Sequence, residues 1–192
     1  MHPDEPNPAT PRLKTARLLL TPLREHDADA FQALFAHWHI VRHLTHHVPW
    51  PYPAGEAKRF IVQDALPAMA RGQEWHWSLR LRSDPAQLIG GICLMDEEDD
   101  NRGFWLGQAW QRQRLMSEAC RAVNRFWFQT LGRERLRVAK SAECLASRRL
   151  SEREGMHKVL ERPAMFVSGP AVEQVWELSR TAWLAHHAPH IT

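Results

Sequence analysis

The amino-acid sequence predicts one mixed α/β domain in which a mostly antiparallel sheet is flanked by helices. Two hydrophobic patterns alternate along the chain: apolar residues at every second position, typical of strands, and apolar residues every three or four positions, typical of amphipathic helices. They follow one another in the order β-α-α-β-β-β-α-β-α-β-β, without an internal repeat. The length of 192 residues suits a single domain with its own core.

The first part of the chain is predicted to hold a strand and two helices. A short apolar run at 17–21 is the first strand, and apolar residues with helical spacing at 31–38 and 57–68 mark the two helices. The proline-rich segment 48–53 between the helices is expected to be a loop. We expect Pro67 to kink or shorten the second helix, because proline lacks an N–H donor.

Three strands are predicted to follow these helices. Apolar and polar residues alternate strictly over 75–82, and 87–94 is a buried apolar run that contains a glycine pair. The third strand is expected at 103–106. The acidic run at 96–100, between the last two strands, is predicted to form a hairpin connection.

The second half of the chain returns to helical spacing and then ends in strands. The predicted elements, in chain order, are a helix over 116–127, a strand over 136–138, a helix over 145–154 and two strands over 156–167 and 172–179. Gly132 and Gly155 stand where the two helices are expected to end, because glycine easily adopts the left-handed conformation found at helix C-termini.

Both ends of the chain are expected to lie outside the domain, which we place at residues 13–184. Residues 1–12 contain four prolines and no apolar period, and they are predicted to form a disordered lead-in. Residues 185–192 are predicted to form a C-terminal tail.

The composition excludes several classes of protein. The longest apolar stretch, 88–95, is too short to cross a bilayer, and no secretory signal opens the chain. The three cysteines, Cys93, Cys120 and Cys144, lack metal-site spacing and are typical of reduced thiols in the cytoplasm. We therefore expect a cytoplasmic protein with no membrane partner and no bound metal.

Positive charge is concentrated in one third of the chain. Residues 101–153 contain 12 Lys or Arg against four Asp or Glu, whereas the whole chain has a net charge of only +3. This segment is expected to meet a phosphorylated cofactor or a nucleic acid, unless its arginines are simply solvated. A strand, loop and helix over 103–127 would aim free backbone N–H groups at one spot beside Arg112 and Arg114, as in phosphate sites.

Six short motifs resemble, in order and spacing, those of the GNAT superfamily of acetyl-CoA-dependent N-acetyltransferases, in its ribosomal-protein N-terminal acetyltransferase branch. They are LKTARLLLTPL at 13–23, QLIGGI at 87–92, GFWL at 103–106, SEA at 117–119, ECLAS at 143–147 followed by Gly155, and LSR at 178–180 with Trp183. The resemblance implies the GNAT fold. It also implies an enzyme that transfers acetyl from acetyl-CoA directly to a primary amine, either a protein N-terminus or a small molecule.

The resemblance further implies which residues bind acetyl-CoA. They are Trp105, Leu106, Gln111, Arg112, Gln113, Arg114, Leu115, Met116, Ser117 and Cys144. The family's pyrophosphate loop has the pattern Gln/Arg-x-x-Gly-x-Gly/Ala, whereas this chain has Arg114 at the glycine and Met116 at the small residue. Cys144 stands where the family usually has asparagine. Arg112 or Arg114 could bind phosphate through charge-assisted hydrogen bonds in place of glycine, or the loop has decayed and its arginines are solvated.

Two catalytic residues are implied by the same resemblance. Ser147 aligns with a serine or tyrosine that faces the cofactor sulfur, and it would protonate the leaving thiolate; its alternative role is a helix N-cap. Glu98 is the nearest match to the base, with Asp100 and Glu97 as alternatives, or the acidic hairpin is merely solvated. A backbone N–H near Leu106 would bind the oxyanion.

Other functions and partners remain open from the sequence. Residues 43–53 are expected to form a wall of the acceptor pocket, and the histidines among them are a weak candidate for zinc. A catalytically inactive GNAT-fold protein that senses a ligand or binds a partner is the first alternative. Nucleic-acid binding ranks last, because the sequence has no helix-turn-helix, zinc or RNA-binding signature. The last strand could pair or pack across a homodimer.

Overall fold

Eight strands form two antiparallel sheets in the computed structural model, which describes residues 9–187. The strands are β1 (Leu13–Lys14), β2 (Leu18–Pro22), β3 (Glu74–Leu81), β4 (Asp84–Met95), β5 (Arg102–Leu106), β6 (Arg135–Ser141), β7 (His157–Phe166) and β8 (Gly169–Ser179). The larger sheet has the strand order β1-β2-β3-β4-β5, and the smaller has the order β6-β8-β7. The pairings are antiparallel, as the sequence predicts.

Helices connect the strands and cover both faces of the larger sheet. They are α1 (Ala28–Phe35), α2 (Trp38–Val41), α3 (Glu56–Arg59), α4 (Leu66–Ala70), α5 (Leu115–Arg125), α6 (Leu145–Arg153) and α7 (Arg180–His187). A π-helical segment, Phe60–Ala65, joins α3 to α4, and another, Phe126–Thr130, extends α5. Within residues 9–187, no helix is both long enough and apolar enough to cross a membrane.

The predicted strands and helices are present, with bounds shifted by a few residues. The sequence patterns missed β1, α2 and α7, which have two, four and eight residues. The first two are too short to show a period. Helix α7 reaches three residues into the predicted tail, whose remainder lies outside the described residues, as do residues 1–8 of the predicted lead-in.

Pro67 does not stop the helix in which it lies. The helical path continues from α3 through the π-helical segment into α4, and Pro67 is the second residue of α4. Proline is tolerated in the first turn of a helix, where no N–H donor is required. The hydrogen bonding changes from π-helical to α-helical between Ala65 and Leu66, so Pro67 lies in the first turn of α4.

Strand β3 is buried on both faces, although its alternating pattern is typical of a half-buried strand. Trp75 and Trp77 pack on Phe126 after α5, with ring centroids 6.1 and 5.6 Å apart. On the other face, His76 and Ser78 are covered by the segments around α3 and α1 and are also buried. Alternation shows which residues share a face, but it does not show whether both faces are covered.

The two sheets meet at a junction where β5 begins beside β6. Asn101 N–H donates to the Arg137 carbonyl at 2.7 Å, and Arg137 N–H donates to the Asn101 side-chain oxygen at 2.8 Å. Asp100 Oδ1 accepts a third bond from Ala139 N–H at 3.1 Å. Within the described chain no strand pairing joins β5 to β6 beyond this sheet junction, and we call the space between the two strands there the wedge.

A buried ion pair fixes the sheet junction to the helices. Arg102, the first residue of β5, is fully buried, and it donates to Glu154 Oε2 at 2.7 Å and to Asn124 Oδ1 at 2.6 Å. Asn124 belongs to α5, and Glu154 directly follows α6. Because buried charges are costly unless they are paired, these contacts hold β5, α5 and α6 in one arrangement.

We expect Glu154→Gln to lower the free energy of unfolding by about 3 kcal/mol, because it leaves the Arg102 guanidinium buried without its counter-charge. Urea unfolding followed by tryptophan fluorescence measures the change. Glu152→Gln, at an exposed position of α6, is the matched control and should alter stability by less than about 0.5 kcal/mol. Equal effects of the two substitutions would mean that the ion pair does not stabilise the fold.

Candidate active site

The loop between β5 and α5, residues 107–114, is held by side-chain hydrogen bonds. Gln111 Nε2 donates to the Leu106 carbonyl at 2.8 Å, and Gln113 Nε2 donates to the Ala109 carbonyl at 3.0 Å. Arg17 Nη1 donates to the Gln113 carbonyl at 3.1 Å. The β5–α5 loop is therefore fixed relative to both the strand before it and the turn before β2.

A row of backbone N–H groups follows from this loop geometry. Within the described chain, none of the N–H groups of residues 112–117 donates to a backbone carbonyl or a side-chain acceptor. The row includes the first turn of α5, where the helix dipole is positive. Such a combination of free donors and positive potential binds phosphate or another anion.

Arg112 and Arg114 adopt left-handed backbone conformations, each with φ of 61°. A non-glycine residue in this region costs about 1–2 kcal/mol. At Arg114 the structure explains the family's glycine, because the position requires positive φ whichever residue occupies it. The second left-handed arginine, Arg112, has no counterpart in the sequence prediction. Both side chains are exposed and have no acidic partner among the described residues.

Glu118, in the first turn of α5, ties the N-terminal strands to this loop. Its carboxylate accepts hydrogen bonds from Thr15 Oγ1 at 2.5 Å, from Arg17 N–H at 2.7 Å and from Arg17 Nε at 2.8 Å. Burial alone would raise the pKa of Glu118, but these bonds from Thr15 and Arg17 lower it. In the sequence, Glu118 is recognised only as part of the SEA motif at 117–119. In the structure, the Glu118 carboxylate anchors the start of α5, and with it the β5–α5 loop, to Thr15 and Arg17.

A groove of about 590 Å³ runs from the β5–α5 loop along α5. The residues that line it include Arg17, Arg114, Ser117, Arg121, Arg153 and Trp183. Four of these are arginines, and of the four only Arg17 forms an ion pair among the described residues. We call it the arginine groove, and its positive charge suits a ligand with several phosphate groups.

The backbone N–H of Leu106 points into the wedge between the sheets. Gly107 N–H donates to the Ile89 carbonyl at 2.9 Å, so Gly90 and Leu106 form a non-hydrogen-bonded pair whose own N–H groups point away from each other. A Cβ at Gly90 would lie 2.5 Å from the Trp105 carbonyl oxygen. The first residue of the glycine pair is therefore required by the close approach of β5.

A second cavity, of about 410 Å³, lies on the face of β3, β4 and β5 that α1 and α3 cover. The aromatic side chains that line it on this face are Phe31, Phe35, Tyr52, Phe60 and Trp105. The ring centroids of Phe31 and Phe35 lie 4.8 and 5.3 Å from the ring centroid of Trp105. Leu44, His47 and Val48 also line this aromatic cavity, so the segment 43–53 does form one of its walls.

Three charged side chains stand together at the edge of the aromatic cavity. Arg59 Nη2 lies 2.6 Å from Glu56 Oε1, and Arg59 Nη1 lies 2.9 Å from Asp64 Oδ2. All three residues line the cavity. The remainder of its wall is mainly apolar, which suits an organic ligand that carries a small number of polar groups.

Ser147 is not a helix N-cap, so that alternative is wrong. It is the third residue of α6, it is half-buried, and the N-cap position is held by Cys144, whose side chain makes no capping bond. Helix α6 begins four residues after β6 ends. The roles that the resemblance implies for Ser147 and Cys144 stay predictions.

Glu98 does not reach the wedge or either cavity. It is exposed on the connection between β4 and β5, at the sheet-junction end of β5. Leu106 lies four residues further along that strand from Arg102, which is about 13 Å at ~3.3 Å per residue. The expectation that Glu98 is the catalytic base is therefore not supported by its position.

The two alternatives to Glu98 also belong to the sheet junction. Burial raises the pKa of Asp100 to about 7, and its carboxylate accepts the Ala139 N–H described above. The side chain of Glu97 is exposed, and its carbonyl accepts a bond from Asn101 Nδ2. An acidic run can hold catalytic residues or residues that stabilise the fold. The contact of Asp100 with Ala139 shows that Asp100 joins the two sheets.

The remaining predicted cofactor residues present mostly their backbone to the site. The Leu115 side chain is buried in the core, and Met116 packs partly against it, so neither side chain is free to meet a ligand. Ser117 lines the arginine groove. The Trp105 side chain lies in the aromatic cavity, on the opposite face of the sheet from α5.

The site thus combines a helix N-terminus with free N–H groups and an aromatic cavity on the opposite face of the same sheet. A family model described as the acetyltransferase (GNAT) domain matches residues 17–157. The chain belongs to this family, and its enzyme class is N-acetyltransferase. No curated protein matches the sequence.

Solved structures with the same fold include acetyltransferases that act on ribosomal proteins. A ribosomal L7/L12 α-N-protein acetyltransferase, RimL, in complex with coenzyme A is 16% identical, with a TM-score of 0.76, and 90% of this chain aligns with 99% of that chain. A ribosomal-protein-S5-alanine acetyltransferase from Vibrio fischeri is 12% identical, with a TM-score of 0.75, over 90% of this chain and 98% of that chain. A GNAT-family acetyltransferase from Bacillus anthracis is 16% identical, with a TM-score of 0.73, over 89% and 99%.

We expect Arg114→Gly to raise the free energy of unfolding by about 1 kcal/mol, because glycine adopts the left-handed conformation without the Cβ penalty. Arg114→Ala removes the same charge but keeps the Cβ, and it should leave stability nearly unchanged. Urea unfolding of the two variants in parallel separates backbone strain from charge. If alanine stabilises as much as glycine, charge repulsion in the groove is the cause and backbone strain is not.

Proposed function

We propose that this chain transfers the acetyl group of acetyl-CoA directly to a primary amine, within a ternary complex and without an acyl-enzyme. The observation that carries the proposal is the row of N–H groups at residues 112–117, which lies at the start of α5 beside the arginine groove. Membership of the GNAT family supports acetyl transfer to amines.

The arginine groove and the row of N–H groups suit the phosphates of coenzyme A. Coenzyme A carries a pyrophosphate and a ribose phosphate. Both anions bind best where the electrostatic potential is positive and few carboxylates of the protein compete for the same cations. We assign the pyrophosphate to the N–H row, with Arg112 and Arg114 supplying charge-assisted hydrogen bonds in place of a glycine-rich loop. The wedge, with its unpaired strand edges, would receive the uncharged arm of the molecule.

Leu106 N–H is the donor that would stabilise the transition state. When an amine attacks a thioester, negative charge develops on the carbonyl oxygen, and a preorganised N–H in a site sheltered from water stabilises it. Leu106 N–H has no acceptor on β4 and points into the wedge. Its neighbour in sequence, Trp105, forms part of the wall of the aromatic cavity. The acetyl donor and the amine acceptor would therefore meet across one strand.

The proton steps are assigned to groups near the wedge and the aromatic cavity. We propose Ser147 as the acid that protonates the leaving thiolate, because it lies in the first turn of α6, the helix that follows β6. The ammonium proton of the acceptor would pass to the carboxylates that line the aromatic cavity, Glu56 and Asp64, directly or through water. These replace Glu98, which lines neither cavity.

The mainly apolar lining of the aromatic cavity suits an amine acceptor whose other groups are largely apolar. Both a protein N-terminus and a small amine meet this description, and the ribosomal-protein acetyltransferases among the similar structures favour an N-terminus. We place the reaction in the cytoplasm, where the three free cysteines would stay reduced.

Acetyl-CoA is expected to raise the melting temperature in a concentration-dependent way, because a ligand that binds only the native state stabilises it, by about 2.7 kcal/mol at a hundred times its Kd. The shift should shrink with added salt, because exposed phosphate–arginine attraction is screened. Arg114→Ala should reduce the shift. No shift at low salt would contradict the proposed function, and a shift without acetylation of any amine would favour the inactive, ligand-sensing alternative.

Ser147→Ala is expected to lower turnover by between about 10²- and 10⁴-fold while leaving the affinity for acetyl-CoA nearly unchanged, as for the loss of a general acid. Release of free coenzyme A thiol measures turnover, and the acetyl-CoA thermal shift measures binding. Glu98→Gln should leave turnover and its pH profile unaltered, because Glu98 is remote from the wedge. Unchanged turnover of Ser147→Ala would remove Ser147 from the mechanism, and a pH profile altered by Glu98→Gln would restore Glu98 to it.

A further inference from the structure

Two chemistry-bearing side chains, His76 and Cys93, line the aromatic cavity, and a third, Glu74, pairs with His76. His76 on β3 and Cys93 on β4 are directly opposite each other in the register of the two strands. His76 Nε2 lies 2.5 Å from Glu74 Oε2, two residues earlier on β3. His76 and Cys93 both line the cavity, and the proposed acetyl transfer gives no role to either. The order thiol, imidazole, carboxylate is that of an activated nucleophile with an oriented base.

Gly103 on β5 makes the room in which the Cys93 thiol sits. A Cβ at Gly103 would lie 3.0 Å from Cys93 Sγ, closer than neighbouring atoms normally allow. Cys93 Sγ lies 3.6 Å from the Gly103 carbonyl oxygen, and the side chain of Cys93 is partly exposed to the cavity. The thiol is thus held in place on one side and open to a ligand on the other.

His76 is buried beside this thiol, opposite Cys93 in the register of β3 and β4. Its exposed fraction is only 7%. Burial alone would lower the pKa of His76, yet the neighbouring Cys93 and Glu74 raise it to about 9. In its protonated form the imidazole can both stabilise negative charge on a sulfur atom and deliver a proton to a leaving group.

The other two cysteines lack these features. Cys120 is fully buried in the core, and burial raises the pKa of its thiol to about 12. Cys144 is partly exposed like Cys93, but it stands at the N-cap of α6, outside any strand register that would place a histidine opposite it. Cys144 therefore provides an internal comparison in which exposure is similar and the histidine is missing.

We propose that Cys93, His76 and Glu74 form a thiol-exchange site in the aromatic cavity, whose ligand is a small disulfide. Cys93 sulfur, as thiolate, attacks one sulfur of the disulfide, so that a new S–S bond to Cys93 forms as the original S–S bond breaks. The displaced sulfur leaves as a thiolate and takes the proton of His76. The reverse exchange with a free thiol restores Cys93, and no other oxidant is needed.

The position of Cys93 favours disulfide exchange over uptake of the acetyl group. Cys93 is paired with Gly103, three residues from Leu106 along β5, which is about 10 Å at ~3.3 Å per residue. A thioester carbonyl held at Leu106 N–H would be out of reach of this thiol. A mixed disulfide at Cys93 would instead fill the part of the aromatic cavity remote from the reacting amine, a consequence that rests on the proposed function.

The test is the rate at which hydroxyethyl disulfide, a small neutral reagent, modifies each cysteine of the full chain, followed by mass spectrometry of its peptides. We expect Cys93 to react about tenfold faster than Cys144, because the charge of His76 raises the rate of attack and of leaving-group departure. His76→Asn should reduce this ratio to about one, and Glu74→Gln should reduce it in part. Equal rates at Cys93 and Cys144 in the unaltered chain would overturn the proposal.

The rate of modification at Cys144 distinguishes the loss of activation from unfolding of the variant. If His76→Asn only loosened the structure, the rates at Cys144 and at the buried Cys120 would rise together, whereas loss of activation lowers the rate at Cys93 alone. Glu98→Gln, remote from the cavity, is the matched control and should leave the ratio of rates unchanged. A ratio unchanged in both His76→Asn and Glu74→Gln would show that the cluster is structural. None of these measurements needs acetyl-CoA, so the outcome is independent of the proposed acetyl transfer.

Discussion

The structure depends on one constraint: β5 and β6 are joined where β5 begins and are separate beyond that point. The buried pair of Arg102 with Glu154 and the bonds between Asn101 and Arg137 hold the joined end. Strands that part leave backbone donors and acceptors without strand partners, and such groups need a ligand or water. The N–H of Leu106 is one of these groups, and α5 and α6 follow β5 and β6 in the chain. Closing the wedge would satisfy the backbone and remove the site.

The acidic run illustrates how charge is used to build this arrangement. Asp99 forms ion pairs with Arg137 at 3.0 Å and with Arg162 at 2.9 Å, which joins the connection before β5 to the smaller sheet. Part of the positively charged third of the chain is therefore neutralised within the fold. Arg112 and Arg114 are left without acidic partners among the described residues, and they stand at the start of α5. The strain of their left-handed conformations persists because the surrounding hydrogen bonds fix the loop, which is the usual situation at functional sites.

The two cavities divide the proposed chemistry between opposite faces of one strand. The arginine groove is cationic and lies along α5, whereas the aromatic cavity is mainly apolar and lies under α1 and α3. Gly90 and Gly91 allow β5 to approach closely enough for Trp105 to shape one cavity while Leu106 faces the wedge. Two substrates of very different polarity can then meet without sharing a pocket. The thiol site at Cys93 lies within the apolar half, away from the meeting point.

The sequence by itself determined the order of strands and helices and the presence of a helix start flanked by arginines, because periodicity and helix termini are local properties of the chain. It did not determine that β3 is covered on both faces, that Glu98 lies at the wrong end of β5, or that His76 faces Cys93. Each of these depends on which strands are neighbours and in which register, and a shift of one residue would turn every side chain to the other face. Only the tertiary structure decides register, because it follows from the packing of the whole core around each strand.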